Sequence, residues 1–466
     1  MNNMLFWIIT LIGIILPVFL NAQEADNRLI THNKASILSE DARVSEWKRF
    51  NGPKDNASSP ETHLLKKWGP QGPLLLWEIK KGEGYSSPAI GQGILILFHR
   101  QDGMEIIEGL NAETGATIWN YQYPVEYRDR YGYSNGPRAS PVIDEDLVYA
   151  HGVTSWLTCL ELKTGKLVWK RDLASEFKIP DYFFGKGSNP IVSKKTLILN
   201  VGGSENRCVV GFNKKTGNTE WICKDEWGAS YSSPTITKIH GKNVCLVLTG
   251  GESRPPTGGL LAIDPESGEK LNRFSWRSSR YESANAVPPV PCGKNRVFLS
   301  ECYEKGGVVL EYDENFESKI IWSDDKINIH WMTPVIKDGI MYGIAGRHQQ
   351  GAEVFALNPL DGKVFWKEAI TWSETIQNRE ITLGLFRGSI LKLENDFLCL
   401  SELGSLLNIE MTADKWIIKN KAQLFFAPGT WTLPALSKGL VYVMQNETDR
   451  LTGKQARLLC LDLRQK

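Results

Sequence analysis

The chain has 466 residues, and its 42% of apolar residues can bury a sizeable core. Its 54 basic and 53 acidic residues give a net charge of +1, which excludes the strong charge footprint of a nucleic-acid-binding protein. The 42 glycines and 16 tryptophans favour many turns and short β-strands over long helices.

Residues 1–22 have the pattern of a secretory signal. An apolar run from Leu5 to Leu20 leads into a cleavage-like tripeptide at 20–22. The run is shorter than the roughly 20 residues that cross a bilayer, but no Lys or Arg precedes it. We therefore expect a cleaved signal and a periplasmic or secreted protein rather than an integral membrane protein. An uncleaved anchor is the alternative, and a lipoprotein is not expected because no Cys lies near residue 22.

Residues 23–70 form the second predicted region, an irregular polar lead-in that we expect to lie against the main domain. Its distinctive part is WKRFNGPKDNASSPET at 47–62. The third region, 71–466, consists of repeats with two phrases each, which identifies a repeat architecture.

The first repeated phrase is Ser/Thr-x-Pro, or a close variant of it, followed by apolar residues. Its seven copies lie at 85–90, 138–143, 187–192, 231–236, 286–291, 331–336 and 431–436. An eighth copy at 386–390 has Ser389 in the Pro position. The units therefore number eight, with a period of about 49 residues.

The second repeated phrase is a turn followed by a strand that carries Trp. Its copies are 111–119, 161–169, 213–221, 264–276 and 358–366. A Thr-Gly pair in several copies supplies the left-handed residue of a hairpin loop. Two further strands precede each turn, so each unit is predicted to be a four-stranded antiparallel meander.

Eight such units predict an all-β fold, an eight-bladed β-propeller. Closure into a ring removes the exposed edge strands that an open stack would leave. The last unit lacks its Trp strand, and a spare strand, LLLWEIK at 74–80, stands before the first unit. We therefore expect this N-terminal strand to close the last blade.

The repeats resemble the pyrroloquinoline-quinone (PQQ)-like β-propeller family, on LNAETGATIW, LELKTGKLVW and FNKKTGNTEW over about 70–466. Trp47, Phe50, Gly52 and Pro53 also look like the start of secreted bacterial members. That superfamily includes quinoprotein alcohol and sugar dehydrogenases and the non-enzymatic BamB-like propeller of the outer-membrane assembly machinery. The resemblance implies the fold and leaves the function open.

The resemblance implies that the repeat tryptophans are structural and dock one blade on the next. We expect this role for Trp77, Trp119, Trp169, Trp221, Trp276, Trp322 and Trp366.

The sequence contains no motif of a known catalytic or metal site. Quinoprotein dehydrogenases of the methanol type carry adjacent cysteines, a calcium bound by Glu, Asn and Asp, and a catalytic Asp, and no segment here aligns with these. The eight cysteines form no C-x-x-C pair, and Cys292 with Cys302 is the one pair that we consider for a disulfide. We predict no catalytic residue, no metal and no cofactor. PQQ with calcium belongs only to the alternative reading as an enzyme.

The residues just before each Pro should gather at one mouth of the central channel, because the first strand of each unit lines that channel. The candidate ligand site comprises Tyr85, Arg138, Lys186, Asn189, Tyr231, Asn285, His330, Trp331, Phe386, Arg387 and Trp431. Aromatic walls with a few polar groups suit a ligand, and Arg beside aromatic rings suits a carboxylate or planar anion. The alternative is that these rings fill the channel as a plug.

These patterns favour a secreted, non-catalytic propeller that binds an envelope protein or a small ligand at the channel mouth. A PQQ-dependent oxidoreductase is the alternative. We expect a monomer that binds no nucleic acid.

Overall fold

The computed structural model describes residues 25–465, and almost all of its regular structure is β. The predicted signal segment, 1–22, lies outside the described residues. Within 25–465 the helical elements are a 3₁₀ turn at Ala25–Arg28 and the short helix α1 at Leu173–Phe177. No helix in this range has the length and apolar character needed to span a membrane.

The strands of the described chain number 35. The first eighteen are β1 (Leu29–Thr31), β2 (Leu74–Lys80), β3 (Ala89–Gly91), β4 (Ile94–Gln101), β5 (Met104–Asn111), β6 (Thr117–Pro124), β7 (Val142–Asp144), β8 (Leu147–His151), β9 (Trp156–Glu161), β10 (Leu167–Asp172), β11 (Ile191–Ser193), β12 (Thr196–Gly203), β13 (Arg207–Asn213), β14 (Thr219–Lys224), β15 (Thr235–Ile239), β16 (Lys242–Thr249), β17 (Gly259–Ile263) and β18 (Lys270–Ser275). The others are β19 (Val290–Gly293), β20 (Arg296–Glu301), β21 (Gly306–Tyr312), β22 (Ser318–Asp324), β23 (Val335–Lys337), β24 (Ile340–Ala345), β25 (Glu353–Leu357), β26 (Val364–Glu368), β27 (Thr371–Ile376), β28 (Arg379–Gly384), β29 (Ser389–Lys392), β30 (Phe397–Leu400), β31 (Ser405–Met411), β32 (Trp416–Gln423), β33 (Ala435–Ser437), β34 (Leu440–Gln445) and β35 (Arg457–Asp462).

These strands form eight antiparallel blades in a ring, which confirms the predicted eight-bladed β-propeller. Blades 1 to 6 are β3–β6, β7–β10, β11–β14, β15–β18, β19–β22 and β23–β26, and blade 7 is β29–β32. The first strand of each blade is innermost, and β3 contacts both β7 of blade 2 and β33 of blade 8. A two-stranded hairpin, β27–β28, is inserted between blades 6 and 7.

Blade 8 joins the two ends of the described chain, as predicted. Its order is β33-β34-β35-β2, and Trp77 in β2 pairs with Cys460 in β35. A fifth strand, β1, adds to the outer edge of β2, with Thr31 opposite Trp77. Sequence analysis treated the region of β1 as irregular, because a three-residue strand has too little pattern to be recognised alone.

The blades pack through buried or half-buried tryptophans that reach the turn of the following blade. Five indole N–H groups donate to carbonyls there, namely Trp77 to Glu113 (3.0 Å), Trp119 to Leu162 (2.9 Å), Trp169 to Lys214 (3.1 Å), Trp322 to Pro359 (2.9 Å) and Trp366 to Thr412 (2.9 Å). Trp221 packs in the same way against Gly268, which has no side chain to collide with the ring.

Trp276 does not occupy the docking position, because the register differs from the one expected. The residue that pairs with Ala262, at the point where other blades carry Trp, is Asn272. Its Oδ1 accepts a hydrogen bond from Ser318 of blade 5 at 3.2 Å. The turn of blade 5 carries the buried ring of Phe316 instead. The large side chain that fills this interface therefore belongs to blade 5 and not to blade 4.

The lead-in closes one end of the channel. We call residues 45–59 the axial cap, because they bond to inner strands on opposite sides of the axis. The bonds are Ile90 N–H to Trp47 O (2.7 Å), Ile143 N–H to Lys48 O (2.8 Å), Lys392 N–H to Ala57 O (2.9 Å) and Thr333 Oγ1–H to Asn51 Oδ1 (3.1 Å). Trp47 is fully buried beneath β3. Among the described residues, the axial cap covers this end of the channel, and the opposite mouth, where the inner strands begin, is open.

All eight cysteines are buried free thiols, including Cys292 and Cys302. Burial raises the pKa of both of these thiols to about 12. The disulfide considered from the sequence is therefore absent from the described chain, and the thiols pack as small apolar side chains.

Candidate functional site

A cavity of about 560 Å³ lies on the propeller axis between the open mouth and the axial cap. Phe50, Asn51 and Ala57 of the cap line its closed end. Eight of the eleven candidate residues line it, namely Tyr85, Arg138, Asn189, Tyr231, His330, Trp331, Arg387 and Trp431. The inner strands bring them together because each blade contributes the segment that leads into its first strand.

Three candidates do not line the cavity. Lys186 is buried with its Nζ 3.9 Å from the centre of the Tyr182 ring, and Asn285 is buried against Arg277 at 3.1 Å. Phe386 lies against Gly384 with a left-handed φ of 51°. The position of these residues before the Pro of each unit predicted their height along the channel axis. It did not predict the direction of their side chains.

Aromatic rings line most of the mouth, and we call this set the collar. Its members are Tyr85, Tyr131, Tyr133, Phe183, Phe184, Tyr231, Tyr303, Trp331 and Trp431. Neighbouring rings touch, with centroid distances of 4.9 Å for Trp331–Trp431, 5.9 Å for Tyr133–Trp431 and 5.7 Å for Tyr133–Phe184. The rings surround a cavity, so they do not fill the channel.

Sequence analysis missed five collar members, Tyr131, Tyr133, Phe183, Phe184 and Tyr303. They lie on loops between or within blades and outside the repeated phrases. The aromatic clusters YGY at 131–133 and YFF at 182–184 were the available signal. Tyr131 and Tyr133 are more than half exposed at the rim, and both rings contact Phe184, so they form a contiguous apolar patch of the kind that marks a binding surface.

Arg138 is held by its own loop rather than left free for a ligand. Its guanidinium donates to the Asp129 carboxylate at 2.7 Å and to the Ser134 carbonyl at 2.9 Å. Asp129 in turn accepts the backbone N–H groups of Tyr131 and Tyr133. This pair therefore positions two collar rings.

Arg387 is also paired. Its guanidinium forms a two-point contact with the Glu402 carboxylate and lies 4.8 Å from the centre of the Trp331 ring. Glu402 also accepts the indole N–H of Trp431 at 2.9 Å. Arg387 therefore stabilises the Trp331–Trp431 side of the collar.

Arg347 is a cavity-lining cation that the sequence analysis did not select. It lies on the loop between β24 and β25, with its guanidinium 4.3 Å from the centre of the Tyr303 ring. No carboxylate of residues 25–465 lies within ion-pair distance of it, and its side chain donates no hydrogen bond to them. Its charge is therefore available at the cavity wall.

Two polar side chains at the cavity have atoms without a partner among the described residues. His330 Nε2 contacts the Tyr303 hydroxyl at 3.3 Å, but its Nδ1 has no partner. Burial, with Arg387 and Arg347 nearby, lowers the pKa of His330 to about 3, so the imidazole is neutral at physiological pH. The buried Ser389 hydroxyl also lacks a partner. Both atoms have almost no surface accessible to water, so they lie inside the cavity wall and not on its face.

The side chains of the cavity do not fit calcium with its bound quinone. Calcium requires several oxygen ligands, chiefly carboxylates. Glu282 is the only carboxylate among the described residues that line the cavity, and it pairs with Arg280 at 2.9 Å. Within 25–465, no three His, Cys, Asp or Glu side chains cluster in a way that could bind a metal.

A family model described as outer membrane protein assembly factor BamB matches residues 103–368 of this chain. Among curated proteins, the chain is 26% identical over 162 residues to a quinoprotein ethanol dehydrogenase of Pseudomonas aeruginosa, which covers 33% of this chain and 24% of that protein. It is 22% identical over 275 residues to the dehydrogenase subunit of a quinone alcohol dehydrogenase of Gluconobacter oxydans, which covers 54% of this chain and 35% of that protein. These matches span only about a quarter to a third of each relative's length.

The solved structures that share the fold include the following two. BamB of Moraxella catarrhalis has a TM-score of 0.54 at 12% identity and covers 84% of this chain and 98% of its own. A quinohemoprotein alcohol dehydrogenase of Comamonas testosteroni has a TM-score of 0.61 at 15% identity and covers 96% of this chain and 84% of its own. At these identities the likeness concerns the fold alone.

Proposed function

This chain belongs to the PQQ-like β-propeller family represented by the outer membrane protein assembly factor BamB, and we propose that it is a secreted, non-catalytic binding protein. The occupant is a small ligand in the axial cavity. The observation that carries this proposal is a cavity of about 560 Å³ that is closed by the axial cap and walled by the collar. Pockets of this size with aromatic walls and few polar groups are typical ligand sites.

The titratable groups of the cavity favour binding over catalysis. Arg138 and Arg387 are paired with Asp129 and Glu402, so they hold the collar in place. His330, with a pKa of about 3, is a very weak base at neutral pH. A rigid wall that carries one available cation suits recognition of a ligand.

The test is native mass spectrometry of the purified protein after incubation with a small-molecule extract of the periplasm. We expect a mass increase in the wild type that Trp331→Ala and Trp431→Ala abolish. Trp416→Ala is the control, because Trp416 lies on the outermost strand of blade 7, away from the cavity. A wild type that gains no mass from any extract would refute the proposal.

A protein partner in the cell envelope is the other occupant that the open mouth could receive, in line with the BamB description of the family. Affinity purification from envelope extracts tests this. A partner that the wild type retains and the two Trp variants lose would replace the small ligand.

The second candidate is a PQQ-dependent oxidoreductase, and it is favoured by the curated relatives, which are quinoprotein alcohol dehydrogenases. The lack of fit to calcium at the cavity weighs against it. Addition of PQQ and calcium, followed by measurement of a quinone absorption band and of dye reduction with alcohols and sugars, separates the two functions. A band with turnover would overturn the non-catalytic proposal.

A further inference from the structure

The charges at the cavity wall are unequal in a way that points to one anionic group on the ligand. Of the three arginines that line the cavity, two are neutralised by buried carboxylates of the protein itself. Arg347 has no such partner within residues 25–465, and the Tyr303 ring holds its guanidinium plane beside the cavity. A guanidinium in this position binds a carboxylate through two parallel hydrogen bonds.

The shape of the collar favours a ligand that stacks on one side only. The pairs Tyr85–Trp431 and Phe184–Tyr231 have centroids 5.3 and 5.7 Å apart and planes inclined by 37° and 55°. Neighbouring rings are therefore in contact with each other, and they form a continuous wall instead of a slot between parallel faces. A sugar ring has one apolar C–H face that packs on such a wall, while its hydroxyls remain free for hydrogen bonds.

We infer that the axial cavity binds an acidic sugar, with its carboxylate on Arg347 and an apolar ring face against the Trp331–Trp431 side of the collar. This inference rests on the proposed function and names its ligand class.

The experiment is isothermal titration calorimetry of the full chain with galacturonate, which carries one carboxylate. We expect binding by the wild type, a loss of about tenfold or more in affinity for Arg347→Met, and partial retention for Arg347→Lys, since a charge-assisted bond is removed or weakened. Arg296→Met is the matched control, because Arg296 lies at the start of β20, is not part of the cavity lining and pairs with Glu311. Melting temperatures of all variants establish that they remain folded.

Two further probes separate the outcomes. Neutral galactose should bind at least tenfold more weakly than galacturonate, and equal binding would refute the carboxylate site. Binding of 2-naphthoate that depends on Arg347, without binding of galacturonate, would overturn the sugar class but leave the cavity as a ligand site. If none of the three probes binds, the acidic-sugar inference fails, and the extract experiment above decides separately whether the binding function fails with it.

Discussion

Single arginines at the mouth differ in role according to the carboxylates that surround them. Arg138 and Arg387 look alike in the sequence, each next to a small residue before an inner strand. The structure pairs them with Asp129 and Glu402, at separations of 9 and 15 residues that follow no repeat. Arg347, which has no such partner in the described chain, was not visible as a candidate because it lies outside both repeated phrases.

The turn glycines that receive a tryptophan should tolerate substitution poorly. Gly217→Ala places a Cβ 2.7 Å from Trp169, whereas Gly241→Ala meets nothing within 4 Å. Both positions have φ near +75°, so both variants lose about 1–2 kcal/mol from backbone strain. We expect Gly217→Ala to lose about 1–3 kcal/mol more in urea unfolding, because the blade interface must shift. Equal losses in the two variants would contradict the docking role of Trp169.

His151 should make stability depend on pH. Its ring is buried between the Ser188 carbonyl and the Ser155 hydroxyl, each at 3.0 Å, and burial lowers its pKa to about 4. Between about pH 6.5 and 4 the unfolded chain binds a proton that the folded chain does not, so stability falls as the pH falls through that window. The loss is up to about 3 kcal/mol.

This prediction is checked by melting temperatures between pH 4 and 7. His151→Gln should lower the slope by about half, because His330, with a pKa of about 3, contributes in the same direction over this range, and His63→Gln, at an exposed position, should leave the slope unchanged. The same slope in His151→Gln and wild type would show that other groups are responsible.

At the scale of elements, strand β2 is held in blade 8 by charge as well as by its ladder. Glu78 is buried and binds Lys454 at 2.8 Å and Arg457. Burial opposes ionisation, but these two cations lower the pKa of Glu78 overall. The pair therefore ties the N-terminal strand to β35 and to the hairpin loop before it.

Glu78→Gln should weaken this closure strongly. It leaves the buried Arg457 without its carboxylate, which costs about 3–5 kcal/mol. Glu113→Gln is the control, because the Glu113 side chain is 57% exposed and lies 3.4 Å from Arg464, a geometry worth about 1 kcal/mol or less. Urea unfolding measures both, and a loss for Glu78→Gln no larger than for the control would contradict an ionic latch.

At the scale of the whole molecule, closure of the ring is what covers the edges of the sheets. A variant that lacks residues 25–80 leaves β35 as an unpaired edge and removes the axial cap. We expect this variant to self-associate and to lose cooperative unfolding, because exposed edges pair with other chains. Size-exclusion chromatography with light scattering should show larger species than for the full chain.

The control for this deletion removes only residues 25–33. It eliminates β1 but keeps β2 in blade 8, so its elution should match that of the full chain. If the larger deletion also elutes like the full chain, closure by β2 is not what keeps the edges covered.

Blade number, strand order and closure by residues 74–80 could be predicted from the sequence, and the structure confirms them. These features depend on turn residues and strand patterns within about 50 residues, and eight copies reinforce one another. Local pattern also predicted eight of the cavity-lining residues, because each precedes an inner strand.

Only the tertiary structure decided the rest. Asn272 stands where other blades carry Trp, and Phe316 of the next blade fills that interface instead. This replacement depends on contacts between blades, as do the path of the axial cap and the carboxylate partners of the arginines. The collar likewise contains loop residues whose positions no repeat predicts, such as Tyr131 and Phe184. The repeat determines the backbone of every blade, but side-chain contacts across the ring join residues distant in sequence, and these determine what the mouth can bind.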